Sequence, residues 1–324
     1  MNLLERDDLA ELLTGCIRTE QTDSGLRFHR LTERQVARLK EANESWGVRA
    51  NCSAGVQLKI VTDSRTLGLS GRILPGARQY AGLDVEADGR VIGSHRFDAS
   101  DETRDMRLVE FSTRHEREIT VTFPQSAIPD LDALNVEDDA NVRPQTRKRS
   151  RYLAIGDSIT QGMDARGPAS AYPVQLARML NAELLNLGVG GHIFDLDSLD
   201  AALPFAPDIV TVAYGTNDWS RETSREDISE TVTAYLTRLA ETYPDADIYV
   251  LTPVWRENGN EVRAGGTLVE FSSAIARAAS AFGRVAVIDG TTLVPNRSDL
   301  FPDGTHPNDE GFLHYAINLR RSIG

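Results

Sequence analysis

Three side chains carry the elements of acyl-transfer chemistry. Ser158 lies in Ile155-Gly156-Asp157-Ser158-Ile159-Thr160-Gln161-Gly162, directly after a short apolar run. Asp303 and His306 share one turn of the segment Phe301-Pro302-Asp303-Gly304-Thr305-His306-Pro307-Asn308. A serine hydroxyl is a weak nucleophile until a base takes its proton. Imidazole serves as that base when a carboxylate on its other nitrogen fixes the tautomer and the ring orientation. The Asp-x-x-His spacing lets one loop supply both base and orienter. Each residue alone has a plainer reading: Ser158 as the N-cap of a helix in a βα turn, Asp303 and His306 as surface groups near a turn.

These residues need elements that bring them together. From about residue 150 onward, short apolar runs at Tyr152–Ile155, Glu183–Leu187, Ile209–Tyr214, Ile248–Thr252 and Val285–Ile288 alternate with amphipathic helices. The longest helix, Ile228–Tyr243, is preceded by Ser224 with Asp227 three residues on, an acidic variant of the capping box. Five parallel strands between helices fit this alternation. In such open α/β sheets ligands gather at the carboxyl edge, where Ser158 projects and where a following helical turn places backbone N–H donors beside it.

The pair Gly156-Asp157-Ser158-Ile159-Thr160 and Asp303-Gly304-Thr305-His306-Pro307, in this order, resembles the SGNH or GDSL hydrolase family. Two further family blocks lie between them. Asn186-Leu187-Gly188-Val189-Gly190-Gly191 resembles the second, which implies that the Gly191 N–H donates to an oxyanion hole. Gly215-Thr216-Asn217-Asp218 resembles the third, which implies a side-chain donor at Asn217 beside the N–H of Ser158 itself. The resemblance spans roughly residues 150 to 324 and implies a flavodoxin-like three-layer α/β/α domain using an acyl-enzyme on Ser158, with no cofactor and no metal. The second block departs from many members by carrying Gly190 and His192 where they have Ser-Gly followed by Asp or Asn. That places the local pocket in question rather than the triad. Asp157 and Asp218 read as loop-bracing groups rather than acid–base catalysts.

The first half has a different rhythm. Gly55–Asp63, Arg65–Ile73, Gln79–Phe97, Arg107–Thr113 and Arg117–Pro124 are runs of β-formers divided by Gly, Asp and Ser. Val85 and Val91 flank Ala87-Asp88-Gly89-Arg90, a hairpin turn. Helical patterning is confined to Leu3–Leu13 and Glu33–Asn43. An antiparallel β-sandwich, jelly-roll-like, is the expected architecture for residues 1–145, with the α/β unit at residues 146–324. Ser53–Val56, Val61–Ser64 and Ala81–Val85 resemble the β-rich domain preceding some two-domain SGNH esterases and an acyltransferase of polyketide tailoring. Residues Asn135–Arg151 read as a polar linker, and the basic cluster Arg147, Lys148, Arg149 and Arg151 as its solvated charges.

Composition narrows the partners. A formal net charge of -13 over 324 residues disfavours nonspecific attraction to nucleic acid or an anionic membrane surface. No apolar run approaches the roughly 20 residues of a membrane span. The first residues have acids within their apolar stretch, unlike a secretory signal, so a cytoplasmic location is expected. Cys16 and Cys52 suggest neither a disulfide framework nor a metal site. His192, Trp219 and Trp255 stand near strand ends, where they could line the crevice or belong to the core. The expected activity is hydrolysis of small acyl esters, acetyl foremost, of a small-molecule or carbohydrate substrate. The alternatives are transfer of the acyl group to an alcohol, and a carbohydrate-binding protein built on a degenerate hydrolase scaffold.

Overall fold

A computed structural model describes residues 1–323. In the second half, five strands form one parallel sheet in the order Ala182–Asn186, Ser150–Gly156, Ile209–Ala213, Asp247–Leu251, Val285–Ile288. The apolar run Tyr152–Ile155 is continuous because both faces of this strand are covered. Leu153 and Ile155 enter a core beneath helices Arg225–Thr242 and Leu268–Ser280, through Ile228, Val232, Leu236, Phe271 and Ile275. Tyr152 and Ala154 face helices Tyr172–Met179 and Asp309–Ser322, through Tyr172, Leu176, Phe312 and Tyr315. The result is the flavodoxin-like α/β/α arrangement. Ser224 caps the long helix: its Oγ accepts from the Asp227 N–H at 3.0 Å and donates to the Asp227 carboxylate at 2.8 Å.

The first half is an antiparallel β-rich unit. One sheet runs Leu13–Thr14, Gln57–Thr62, Arg117–Thr122, Tyr80–Ala87, Arg90–Asp98, with Val142–Pro144 also paired to Gln57–Thr62. The other runs Arg18–Thr22, Gly25–His29, Ala127–Val136, Thr66–Pro75, Ser100–Glu110. Leu58, Ile60, Val85 and Val121 of the first sheet meet Phe28, Leu69, Ile73 and Leu131 of the second in one core. The hairpin closes where Ala87 pairs with Arg90. Asp88 and Gly89 there have φ of 50° and 76°, the doubly left-handed turn whose twist matches its strands.

Three expectations change. Residues 135–151 are not a bare linker: Val142–Pro144 pairs with a sheet, Ser150 opens a parallel strand, and the Arg147 guanidinium donates to the carbonyls of Ala10 and Glu11. Runs of two or three paired residues are too short to leave a period in sequence. The helix expected over Leu3–Leu13 breaks into a 3-10 turn at Leu3–Glu5, a single α turn at Leu9–Leu12 and a strand from Leu13. Finally, helix Glu33–Ala42, capped by a Thr32/Gln35 box, is followed by helix Glu44–Ala50, and these do not serve the β-rich core. Leu31, Leu39, Trp46 and Ala50 pack with Leu153, Ile155, Leu187 and Val189 beneath the parallel sheet.

Arg30 fastens the same region. Its fully buried guanidinium donates to the carbonyls of Cys52 (2.7 Å), Asn186 (2.8 Å) and Arg49 (3.0 Å). Burial lowers its pKa to about 10, and three carbonyl acceptors offset the loss of water. Among the described residues no helix is long and apolar enough to cross a membrane.

Because helices from the first half complete the core of the second, a fragment of residues 146–324 is expected to aggregate. Size-exclusion chromatography should find it in the void volume. In the intact chain, Leu39→Ala should cost ~2–5 kcal/mol, read by urea denaturation. A soluble monomeric fragment with an intact melting transition would refute the shared core.

Candidate active site

Ser158 opens the short helix Ser158–Gln161, immediately past the carboxyl end of strand Ser150–Gly156. Asp157 caps that helix, its Oδ1 accepting from the Ile159 N–H at 2.9 Å. The serine is 5% exposed. Its own N–H meets no acceptor among the described residues and so is available to a ligand.

The turn Asp303–His306 closes on this serine from the far end of the chain. Asp303 Oδ1 accepts the backbone N–H groups of Thr305 (2.9 Å) and His306 (2.7 Å), which fixes the carboxylate in place. Its Oδ2 lies 2.6 Å from His306 Nδ1, and His306 Nε2 lies 2.7 Å from Ser158 Oγ. With Nδ1–H donating to the carboxylate, Nε2 turns its lone pair to the hydroxyl. Partial burial pushes the Asp303 pKa up, but the ring and backbone hydrogen bonds from His306 outweigh it and hold the carboxyl well below the usual range.

A second carboxylate, absent from the sequence reading, stands at the same nitrogen. Asp164 Oδ2 lies 3.3 Å from His306 Nδ1 as an ion-pair contact. Asp164 follows the nucleophile helix by a short turn, with φ of 73°, and no motif marks it. Asp164, Asp303 and His306 bring their ligand-type atoms within 4.8 Å of one another, a grouping that could also hold a cation. The oxygens are already committed to guanidinium, phenol and backbone donors, as suits a hydrogen-bonded histidine.

Across the crevice lie the other two motif blocks. Gly190 is held at both ends: its N–H donates to Gln161 Oε1 at 2.8 Å, and its carbonyl accepts from the Arg49 guanidinium at 2.8 Å. That carbonyl and the Gly191 N–H belong to one planar trans peptide, so they point in opposite directions. The Gly191 N–H meets no acceptor among the described residues. Gly191 has φ of 78°, and a Cβ there would sit 3.0 Å from the Arg49 guanidinium and 3.2 Å from the Trp46 indole nitrogen, so a side chain would be strained by the backbone and would crowd both groups. Asn217 Nδ2 donates to the His192 carbonyl at 3.0 Å, and its remaining N–H makes a longer 3.3 Å contact with Asp157 Oδ2.

Asp218 braces the loops as expected, accepting from the N–H groups of Phe194 and Gly215. Burial raises Asp218 to about 7 and Asp157 to about 6, since neither has a cation in contact to offset desolvation.

Residues 154–312 match the GDSL-like lipase/acylhydrolase family. The chain carries a GDSL-like lipase/acylhydrolase domain. Solved structures share the fold across both halves of the chain. A salicylyl-acyltransferase from a tetracycline biosynthetic pathway superposes with a TM-score of 0.82 at 20% identity, covering 96% of this chain and 93% of that one. A GDSL-like lipase assigned as putative, from Bacteroides ovatus, gives 0.79 at 22% identity, covering 100% and 96%. A family two carbohydrate esterase from Clostridium thermocellum gives 0.63 at 16%, covering 83% and 92%. No curated protein matches the chain.

Of the three ring-bearing residues that could line the crevice of this GDSL domain or belong to the core, two are core. His192 is 2% exposed, set edge-on against Trp46 and Tyr214, with Nδ1 2.9 Å from the Tyr214 hydroxyl; only its backbone carbonyl serves the site, through Asn217. Trp219 is fully buried, its indole N–H donating to the Gly266 carbonyl while the guanidiniums of Arg256 and Arg263 lie against its ring. Trp255 is half-buried against Phe301, next to the Asp303 turn. An open groove of about 700 Å³ runs beside that turn, lined by Tyr80, Asp164, Arg166, Asp303, Asn308 and Asp309.

The raised Asp218 carboxyl sets a stability dependence on pH. Between its unfolded value of 3.8 and its folded value of about 7, the folded state binds the extra proton, so this group favours folding at low pH and opposes it as pH rises through 7. Asp218→Asn should therefore flatten the fall in Tm between about pH 4 and 7 relative to wild type, read by thermal melts. An unchanged Tm–pH curve would refute a buried, proton-retaining carboxyl at 218.

Proposed function

We propose that the protein is a serine esterase that cleaves small acyl esters, acetyl foremost, through an acyl-enzyme on Ser158. The observation that carries this reading is the unbroken chain from Ser158 Oγ through His306 to Asp303, with contacts of 2.7 and 2.6 Å. In this mechanism His306 Nε2 takes the Ser158 proton as Oγ attacks the ester carbonyl. Asp303 holds the ring and stabilises the imidazolium. The N–H groups of Ser158 and Gly191 receive the charge that develops on the carbonyl oxygen, joined by the Asn217 amide once it exchanges its longer contact with Asp157 for the oxyanion, each such donor being worth ~3 kcal/mol. His306 then returns its proton to the leaving alcohol, and water activated by the same nitrogen releases the acid.

The groove of about 700 Å³ supports a carbohydrate or other polyhydroxylated alcohol portion, because carboxylate, amide and phenol groups line it. The structural likeness to carbohydrate esterases points the same way. The intact chain of hydrogen bonds speaks against a degenerate, binding-only scaffold. A second reading, transfer to an alcohol acceptor, draws support from the same groove, which has room for an acceptor beside the Asp303–His306 turn.

Ser158→Ala and His306→Ala should each abolish hydrolysis of p-nitrophenyl acetate without lowering Tm, and a fluorophosphonate should label Ser158 alone. Wild-type turnover by either variant, or labelling elsewhere, would overturn the mechanism. A panel of nitrophenyl esters of graded acyl length and acetylated sugars should favour acetyl. With millimolar alcohols added, free acid should remain the main product; near-exclusive acylation of an alcohol would make the protein a transferase.

Arg49 gives a second test. By bonding the Gly190 carbonyl it fixes the peptide whose other end is the Gly191 N–H and polarises that donor. Arg49→Met should lower kcat on the order of 10-fold with little change in KM, because the donor acts mainly on the transition state. A raised KM at constant kcat would place Arg49 in substrate binding instead.

A further inference from the structure

We infer that Asp164 is a second orienting carboxylate for His306, a positioning residue held in place by Arg78 and Tyr80 of the β-rich half. The inference rests on the reading of Ser158 and His306 given above and assigns the base two acids instead of one.

The geometry is specific. Asp164 is gripped on both oxygens by one guanidinium: Arg78 Nε donates to Oδ1 at 2.8 Å and Nη2 to Oδ2 at 2.9 Å. The Tyr80 hydroxyl donates to Oδ1 at 2.7 Å. A bidentate pair with a third donor leaves the carboxylate little freedom, and it is this fixed group whose Oδ2 stands 3.3 Å from Nδ1. The side chain of Asp303 is 46% exposed, that of Asp164 only 21%. Water screens a charge less where it is excluded, so the more sheltered acid keeps a larger share of its field at the imidazole. Burial alone raises the Asp164 pKa, but hydrogen bonds from Arg78 and Tyr80 and the nearby His306 lower it further, so the group stays ionised.

The groups around His306 are then all accounted for. Asp303 comes from its own turn, Asp157 and Ser158 from the nucleophile helix, and Asp164 from the segment after it. Arg78 and Tyr80 reach the ring through Asp164, and Arg256 acts at longer range on Asp157 and Asp303. Two ionised acids at Nδ1 stabilise the imidazolium that forms as Ser158 loses its proton, so removing either one slows attack and removing both slows it most.

The experiment is a double-mutant cycle of kcat and KM for Asp164→Asn, Asp303→Asn and both together, with p-nitrophenyl acetate as substrate. Asparagine accepts the left-handed backbone at 164, and Asp164→Gly, which that backbone also suits, serves as the second variant if Asn fails to fold. Asp303→Asn should cost on the order of 10²-fold, against the ~10⁴-fold seen where a triad has one acid, and the double variant should fall to about 10⁴-fold. Asp164→Asn alone should lose roughly 5-fold in kcat with KM unchanged. Tyr80→Phe, which breaks a contact between the halves but removes no charge from Nδ1, should cost less than Asp164→Asn. A purely structural Asp164 would give the opposite pattern: Asp303→Asn as damaging as the double variant, and a Tyr80→Phe loss equal to that of Asp164→Asn. Those results overturn the inference. Retained turnover by His306→Ala would instead bring down the triad reading itself.

Discussion

The hydrogen bond from Ser158 to His306 spans 2.7 Å in space and 148 positions in sequence, and everything around it serves to keep that distance. An imidazole displaced by even an ångström could not take the proton during attack, so the two loops must be referenced to one rigid body. The parallel sheet is that body. Ser158 sits directly on the end of a central strand, and the Asp303–His306 turn leads into helix Asp309–Ser322, which lies on the sheet's buried face. The two are also tied directly. Tyr315 of that helix stacks on Tyr172 with centroids 4.0 Å apart, and the Tyr172 hydroxyl bonds Thr160 Oγ1 of the nucleophile helix at 2.9 Å.

The β-rich half is part of this frame rather than an appendage to it. Arg30 binds carbonyls on both sides of the boundary. Gln125 Nε2 donates to the Gly162 and Ala165 carbonyls while its own carbonyl accepts from Gln161, so the loop bearing Asp164 is pinned from the neighbouring unit. Arg49 and Arg78 then meet the two sides of the crevice, the first at the Gly190 peptide and the second at Asp164. Two arginines of the β-rich half thus steady polar groups on either side of the nucleophile.

How much of this was legible in the sequence follows from what each residue signals locally. Asp303 and His306 could be paired in sequence because base and orienter share one turn, and Ser158 joined them through its motif at the end of an apolar run; the three side chains lie within hydrogen-bond reach in the fold. The alternating strands and helices were legible because burial on both faces leaves continuous apolar runs. His192 and Trp219 could not be placed in crevice or core because position at a strand end does not say which way a side chain turns: one packs edge-on against Trp46 and Tyr214, the other is held by the Gly266 carbonyl and two guanidinium faces. Helix Glu33–Ala42 was found, but its destination was not, since an amphipathic face declares that it will be buried and not against what. Asp164, Arg49 and Arg78 carried no signal at all. Their importance arises only when two units fold onto each other.

The four carboxyls around the nucleophile show how environment, not residue type, divides the work. Asp303 and Asp164 face the imidazole and have ring, backbone, guanidinium or phenol donors, so their ionised forms are favoured. Asp157 and Asp218 lie beneath the Gly191 and Asn217 loops, are almost wholly buried, and meet amide N–H groups without a cation in contact, so ionisation there is disfavoured. During attack, positive charge forms on the ring and negative charge on the substrate oxygen. The first develops beside committed anions, the second among N–H donors and carboxyls with a raised affinity for protons. That separation of sign across one crevice is what a single serine needs if His306 is to hold its proton while the oxyanion forms.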